Sequence, residues 1–209
     1  MLKNSNRRDT KKRKKMKEIY NFGIQFKGEI SDFFIARKII DFVGASNFIK
    51  QLPYGRNNNK NDLTSLFFDN CGTCSTKHAL LKSLAIEQFQ DDVKLNLGIF
   101  KMNGQNTPAI RQTLMKHNLD YIPEAHNYLI INNKILDCTK QNSSKTDFIN
   151  DLLTEIEIQP RQITAFKIAY HKKYLQLWLK LQPNIKLTLN EIWTIREQCI
   201  KDLAKYGSQ

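Results

Sequence analysis

Two β-prone runs meet at Asn132-Asn133 in the segment AHNYLIINNKILDCTK, residues 125–140, and no other feature restricts the fold as much. Asn tolerates the left-handed backbone that both central residues of a tight hairpin turn require. With this pair at the centre, position i faces position 265 − i, so Tyr128 lies opposite Asp137 and His126 opposite Thr139. His126 and Asp137 then share one face as diagonal neighbours, roughly 7 to 8 Å apart at Cα, within reach of a carboxylate–imidazole hydrogen bond. A three-residue loop would instead send the two side chains to opposite faces.

A second segment, CGTCSTKHALLKSLA at residues 71–85, sets two cysteines and a histidine around a helix start. Leu80 with Leu84 and Leu81 with Ala85 repeat at four-residue spacing, and Thr73 or Ser75 is available as cap, so a helix is expected from Cys74 or just after it. A thiol there feels the positive end of the helix dipole, and a nearby imidazolium would favour the thiolate further. An Asp that holds one nitrogen of a His leaves the other for a third group, and Cys74 is the candidate. The reading is a Cys74–His126–Asp137 catalytic set.

Elsewhere the pattern is coarser. Residues 18–50 read as one or two helices broken near Gly44, and the Pro-, Gly- and Asn-rich stretch 52–63 as a loop. Residues 94–102 alternate as a strand, and 106–118 read as a helix with Thr107 as cap and Pro108 in its first turn. Residues 146–156 and 187–207 read as helices, the second stopping at Gly207, and 163–181 as a strand that becomes a helix.

The chain carries a formal charge of +13, and residues 1–17, with nine Lys or Arg and one Asp, hold +8 of it. That block reads as a basic, disordered leader ahead of a single domain over 18–209, with weak polyanion binding through phosphate contacts as its expected interaction. No apolar run approaches the roughly 20 residues of a membrane span, and no apolar stretch follows the basic start as a signal peptide would require. Four scattered cysteines, Cys71, Cys74, Cys138 and Cys199, are too few for a disulfide framework, so reduced thiols in a cytoplasmic protein are expected.

Cys71-x-x-Cys74 with His78 and Cys138 also has the composition of a zinc site, but the strong form of that signal is two paired clusters and one is present. A thioredoxin-like redox pair lacks the preceding strand of a βαβ unit. Neither metal nor cofactor is expected, Cys71 reads as structural, and Lys77 and His78 read as helix surface or satisfied core groups. For an oxyanion the Cys74 backbone N–H is the natural donor. Tyr54, Arg56 and Asn57 are candidates for a second, or belong to a solvated turn.

Gly72-Thr73-Cys74 before a helix containing small Ala79, a strand-borne His126, and the strand ILDCT at 135–139 carrying Asp137 together resemble the transglutaminase-like superfamily of papain-like cysteine enzymes. The resemblance covers about residues 70–140, with Ser75 in place of the aromatic residue that often follows the nucleophile. It implies an α+β, papain-like fold in which the nucleophile helix packs on an antiparallel sheet. The implied activity is hydrolysis or acyl transfer on a protein, peptide or small amide substrate through a thioester. The competing reading is a noncatalytic binding module that keeps the fold and uses its basic tail for an anionic partner.

Overall fold

A computed structural model describes residues 20–206. The elements run α1 (Glu29–Ala36), α2 (Phe42–Gln51), α3 (Ser65–Asp69), α4 (Cys74–Glu87), β1 (Val93–Asn103), α5 (Arg111–Lys116), β2 (Tyr121–Ile131), β3 (Lys134–Leu136), β4 (Leu152–Ile158), α6 (Ala165–Lys180) and α7 (Leu189–Tyr206). The architecture is α+β, with one antiparallel sheet in the order β3-β2-β1-β4.

The β2–β3 hairpin has the expected register. Ile131 faces Lys134 and Leu129 faces Leu136, and Asn132 and Asn133 take φ values of 49° and 59°, the signature of a type I′ turn. Odd-numbered side chains of β1 and β2, among them Leu95, Leu97 and Leu129, join Leu80, Leu81 and Leu84 of α4 in one core. Even-numbered ones, including Phe100, Met102, Ile122 and Tyr128, join Leu175 and Trp178 of α6 and Ile192 and Ile195 of α7 in a second. Period-two alternation thus gives the sheet two apolar faces, and helices cover both. Helix α4 starts where expected and is buried nearly all round. Its Lys77 ammonium lies inside the fold, donating to the carbonyls of Leu52 and Thr139 (2.8 Å to the latter), and so ties two loops to the helix.

Four local expectations are corrected. Residues 146–156 do not form a helix: two 3₁₀ turns, Lys145–Asp147 and Ile149–Asp151, lead into β4, which pairs with β1. Its apolar spacing fits either period over so short a span, and the free edge of β1 decides. The stretch 163–181 contains no strand; it is a 3₁₀ turn followed by α6, whose buried face is Lys167, His171, Leu175 and Trp178. Two polar residues on that face hid the helical stripe. In the N-terminal region the break falls at Arg37–Asp41, where Lys38 is left-handed with φ 60°, while Gly44 lies inside α2 with its N–H accepted by the Asp41 cap at 2.7 Å. Thr107 makes no side-chain cap, and Pro108–Ile110 is a 3₁₀ turn ahead of the short α5.

The basic leader over 1–17 and the stop at Gly207 lie outside the described residues. Among the described residues no helix is long and apolar enough to cross a membrane.

Candidate active site

Thr73 and Thr76 form a reciprocal capping box at the start of α4, which leaves Cys74 as the first helical residue. Its backbone N–H has no partner within the helix, and its sulfur sits at the positive end of the dipole. The loop before it is held close: Gly55 N–H donates to Gly72 O at 3.2 Å and Gly72 N–H to Pro53 O at 3.1 Å. A Cβ on Gly72 would lie 2.8 Å from Leu66 Cδ1 and 2.9 Å from Lys77 Cγ. Glycine is required there by close approach.

Strand β3 ends at Leu136, three pairs from the turn, so β2 from Tyr128 back toward Tyr121 has an open edge, and the N-terminus of α4 meets the sheet there. The Asn127 backbone N–H, past the end of β3, belongs to that edge and favours the Cys74 thiolate. His126 Nε2 lies 2.9 Å from Asp137 Oδ2, and Asp137 Oδ1 accepts from the Thr139 N–H at 2.8 Å. The other ring nitrogen of His126, Nδ1, is left for Cys74, which lines the same cavity and whose thiolate favours the imidazolium. Phe148 packs on the imidazole with ring centroids 4.8 Å apart. The structure therefore brings together all three residues expected from the sequence.

The electrostatics follow from this packing. Burial opposes ionisation of Cys74, but Lys167, the hydrogen bond and charge of His126 and the Asn127 N–H outweigh it and draw the thiol down to about 6. Burial likewise disfavours the His126 imidazolium, yet the charge and hydrogen bond of Asp137, with Cys74, lift it to about 10. Asp137 is held well below the usual carboxylate range, because the charge and hydrogen bond of His126 outweigh its burial. Between these limits the favoured state is thiolate beside imidazolium.

His78 is a satisfied core group. Its Nδ1 lies 2.7 Å from Cys74 O, one helical turn back, and its Nε2 accepts from the Cys138 N–H at 2.7 Å. Burial pushes it down to about 4, so it stays neutral and its 3.6 Å approach to Asp137 Oδ1 is no ion pair. With both nitrogens occupied, His78 has no lone pair to offer a zinc ion. Among the described residues no group of three or more His, Cys, Asp or Glu is arranged to hold one. The Cys138 thiol is buried and pushed up to about 12.

Sequence reasoning missed Lys167. It is buried on α6, donates to Ser75 Oγ and Asn127 Oδ1 at 2.8 Å each, and lies 3.8 Å from Cys74 Sγ. Ser75 Oγ also donates to Asn127 Oδ1 at 3.0 Å, which gives a physical reason for serine after the nucleophile. Burial lowers the pKa of Lys167 while Cys74 and Glu124 raise it. Lys167→Met is expected to move the midpoint of Cys74 alkylation upward by about one pH unit. An unchanged midpoint in a folded variant would show that the ammonium does not act on the sulfur.

Of the three loop candidates for an oxyanion donor, two are committed elsewhere. Asn57 donates to Cys71 O at 2.9 Å and accepts from Thr76 Oγ1 at 2.7 Å, and Arg56 pairs with Glu197 at 2.5 Å. Tyr54 borders two cavities that meet at Cys74. Burial, then the charges of Cys74 and Glu124, raise its pKa, so its hydroxyl keeps its proton and is a donor.

One cavity, about 360 Å³, is lined by His126, Phe100, Met102, Phe148 and Leu203, with Glu124, Asp137, Lys140 and Asp147 as its charged residues, and its exposed surface is mainly apolar. The other, about 320 Å³, is charged and is bordered by Lys167 but not by His126. Comparison of the chain with protein-family models, with curated proteins and with solved structures found no match.

Proposed function

We propose that the protein is a cysteine-dependent amide or ester hydrolase or acyltransferase of the papain-like, transglutaminase-like kind. The observation that carries this reading is the His126 Nε2–Asp137 Oδ2 contact of 2.9 Å, with the opposite nitrogen turned to a thiol at a helix start where two cavities meet. The Cys74 thiolate attacks the substrate carbonyl carbon, and the developing oxyanion is met by the Cys74 N–H and the Tyr54 hydroxyl. The bond from the carbonyl carbon to the leaving group breaks as His126 passes its proton to that group, leaving a thioester on Cys74. Water or an amine then attacks the thioester and gives its proton to His126, and the thiolate is restored. Asp137 keeps the imidazole oriented and stabilises its charged form.

His126 borders only the apolar chamber, so the departing group is protonated on that side. The acyl portion then extends across Cys74 into the charged chamber.

The test is capture of the intermediate. Brief treatment with 4-nitrophenyl acetate, followed by acid quench and peptide mapping, is expected to place one acetyl group on Cys74. Hydroxylamine should hasten its loss. Acetylation of Cys71 at the same rate as Cys74, or no adduct on Cys74, would defeat the proposal.

A further inference from the structure

The charged chamber is bordered by four cationic side chains, Arg56, Lys60, Lys167 and Arg196, and two carboxylates, Glu124 and Glu197. Their pairing can be followed one by one. Arg196 forks onto Glu124, with Nε 2.8 Å from Oε2, and also touches Glu197 at 2.6 Å. Arg56 reaches Glu197 at 2.5 Å, and Lys167 is held by Ser75 and Asn127 beside the Cys74 sulfur. Lys60, exposed on the loop at the chamber rim, makes no ion pair with a carboxylate among the described residues, and Glu197, already shared by Arg56 and Arg196, acts on it only through space. When Cys74 is ionised, the six side chains and the thiolate leave one positive charge over, and it falls on Lys60.

We infer that this chamber is the acyl subsite and that it selects an acyl group bearing a carboxylate, which pairs with Lys60 at the rim. The inference rests on the proposed attack by Cys74, because the side of His126 decides which chamber takes the leaving group. Desolvation at the rim and the charges of Arg56, Lys167 and Arg196 lower the pKa of Lys60 against the opposing pull of Glu197, and a bound carboxylate would reverse that direction. The chamber on the other side is mainly apolar in exposed surface and its Lys140 and Asp147 offset each other, so an uncharged departing or accepting group fits there. The substrate class is therefore an amide or ester whose acid part carries a second, free carboxylate and whose leaving group is apolar.

Alkylation separates this inference from catalysis, because it needs the thiolate and the chamber but no turnover. N-iodoacetylglycine and N-iodoacetylglycinamide differ in one terminal charge; both form the same sulfur–carbon bond with loss of iodide. The rate ratio, acid over amide, is read on the Cys74 peptide of the full chain by mass spectrometry and compared with the ratio for free N-acetylcysteine. The expected ratio exceeds that of the free thiol by about tenfold at low salt and shrinks as salt is added. The His126 imidazolium also attracts anions, so the decisive signature is dependence on Lys60. Lys60→Gln should reduce the ratio about threefold or more, Lys60→Arg should retain it, and Lys134→Gln, on the distant hairpin, should leave it unchanged. A ratio equal to that of the free thiol, or one indifferent to Lys60→Gln while Cys74 still reacts in a His126-dependent way, overturns the acyl subsite and leaves the catalytic reading standing. If Cys74 reacts with neither reagent faster than the free thiol, both fall.

Discussion

Alanine at His126 is expected to reverse the pH preference of Cys74. In the parent protein the thiol ionises at about 6 and its imidazolium partner persists to about 10, so alkylation by iodoacetamide should rise through the first value, hold a plateau and change again near the second. Below the first value the sulfur is protonated and inert; above the second the thiolate has lost its cation. Without the imidazole, only Lys167 and the Asn127 N–H oppose burial, and the thiol returns toward the ordinary range. A rise of about two units cuts the thiolate fraction at pH 6 by about fiftyfold, while the more basic thiolate is intrinsically about eightfold more nucleophilic. The net expectation is a variant about sixfold slower at pH 6 that overtakes the parent above about pH 7. Turnover of an amide should fall by roughly two to four orders of magnitude, because the leaving amine loses its proton donor. The check is a set of iodoacetamide rates from about pH 5 to about pH 10, read on the Cys74 peptide. Parallel profiles with no crossing would show that His126 does not partner the thiol.

The parts of this site legible in the sequence were those carried by local rules. Asn132-Asn133 dictated the hairpin register, and that register, carried one residue past the end of β3, brings Asp137 to His126. Thr73 marked the start of α4 and so the position of Cys74. The parts hidden were those that depend on contacts distant in the chain. Lys167 is separated from Cys74 by 93 residues, and its burial on α6 beside His171 replaced with polar groups the apolar spacing that would have announced a helix. The only trace was negative: a lysine and a histidine at four-residue spacing on what proved to be an inward face. Strand β4 was obscured for a related reason. Its pairing with β1 supplies the period that its own short sequence leaves ambiguous, because strand preference is largely a property of neighbours. Tyr54 was one of three loop candidates in the sequence, and nothing local set it apart from Arg56 and Asn57 until the backbone link between Gly55 and Gly72 laid its loop along the nucleophile segment.

Severing the Glu124–Arg196 pair should destabilise the fold more than any change at the reacting groups. Glu124 lies on β2 two residues before His126, and Arg196 comes from α7, so this fork fastens the last helix to the strand that carries the base. The two side chains are only 8% and 13% exposed, which places them in the regime where removing one partner strands a buried charge. Burial disfavours the Glu124 carboxylate, but Arg196, His171 and Lys167 outweigh it. After Glu124→Ala the guanidinium keeps its contact with Glu197, which itself is shared with Arg56, so compensation is partial. A loss of about 3 to 5 kcal/mol is expected, lowering the melting temperature by roughly 10 °C for a chain of this size. The double variant Glu124→Gln with Arg196→Met should recover most of it, because no unpaired charge then remains inside. Thermal and urea unfolding of the three proteins make the comparison. A loss below about 1 kcal/mol for Glu124→Ala would mean that water reaches the fork and the pair behaves as a surface bridge. The chamber wall it forms would then be open to solvent, and the desolvated setting invoked for Lys167 and the Cys74 thiolate would have to be reconsidered with it.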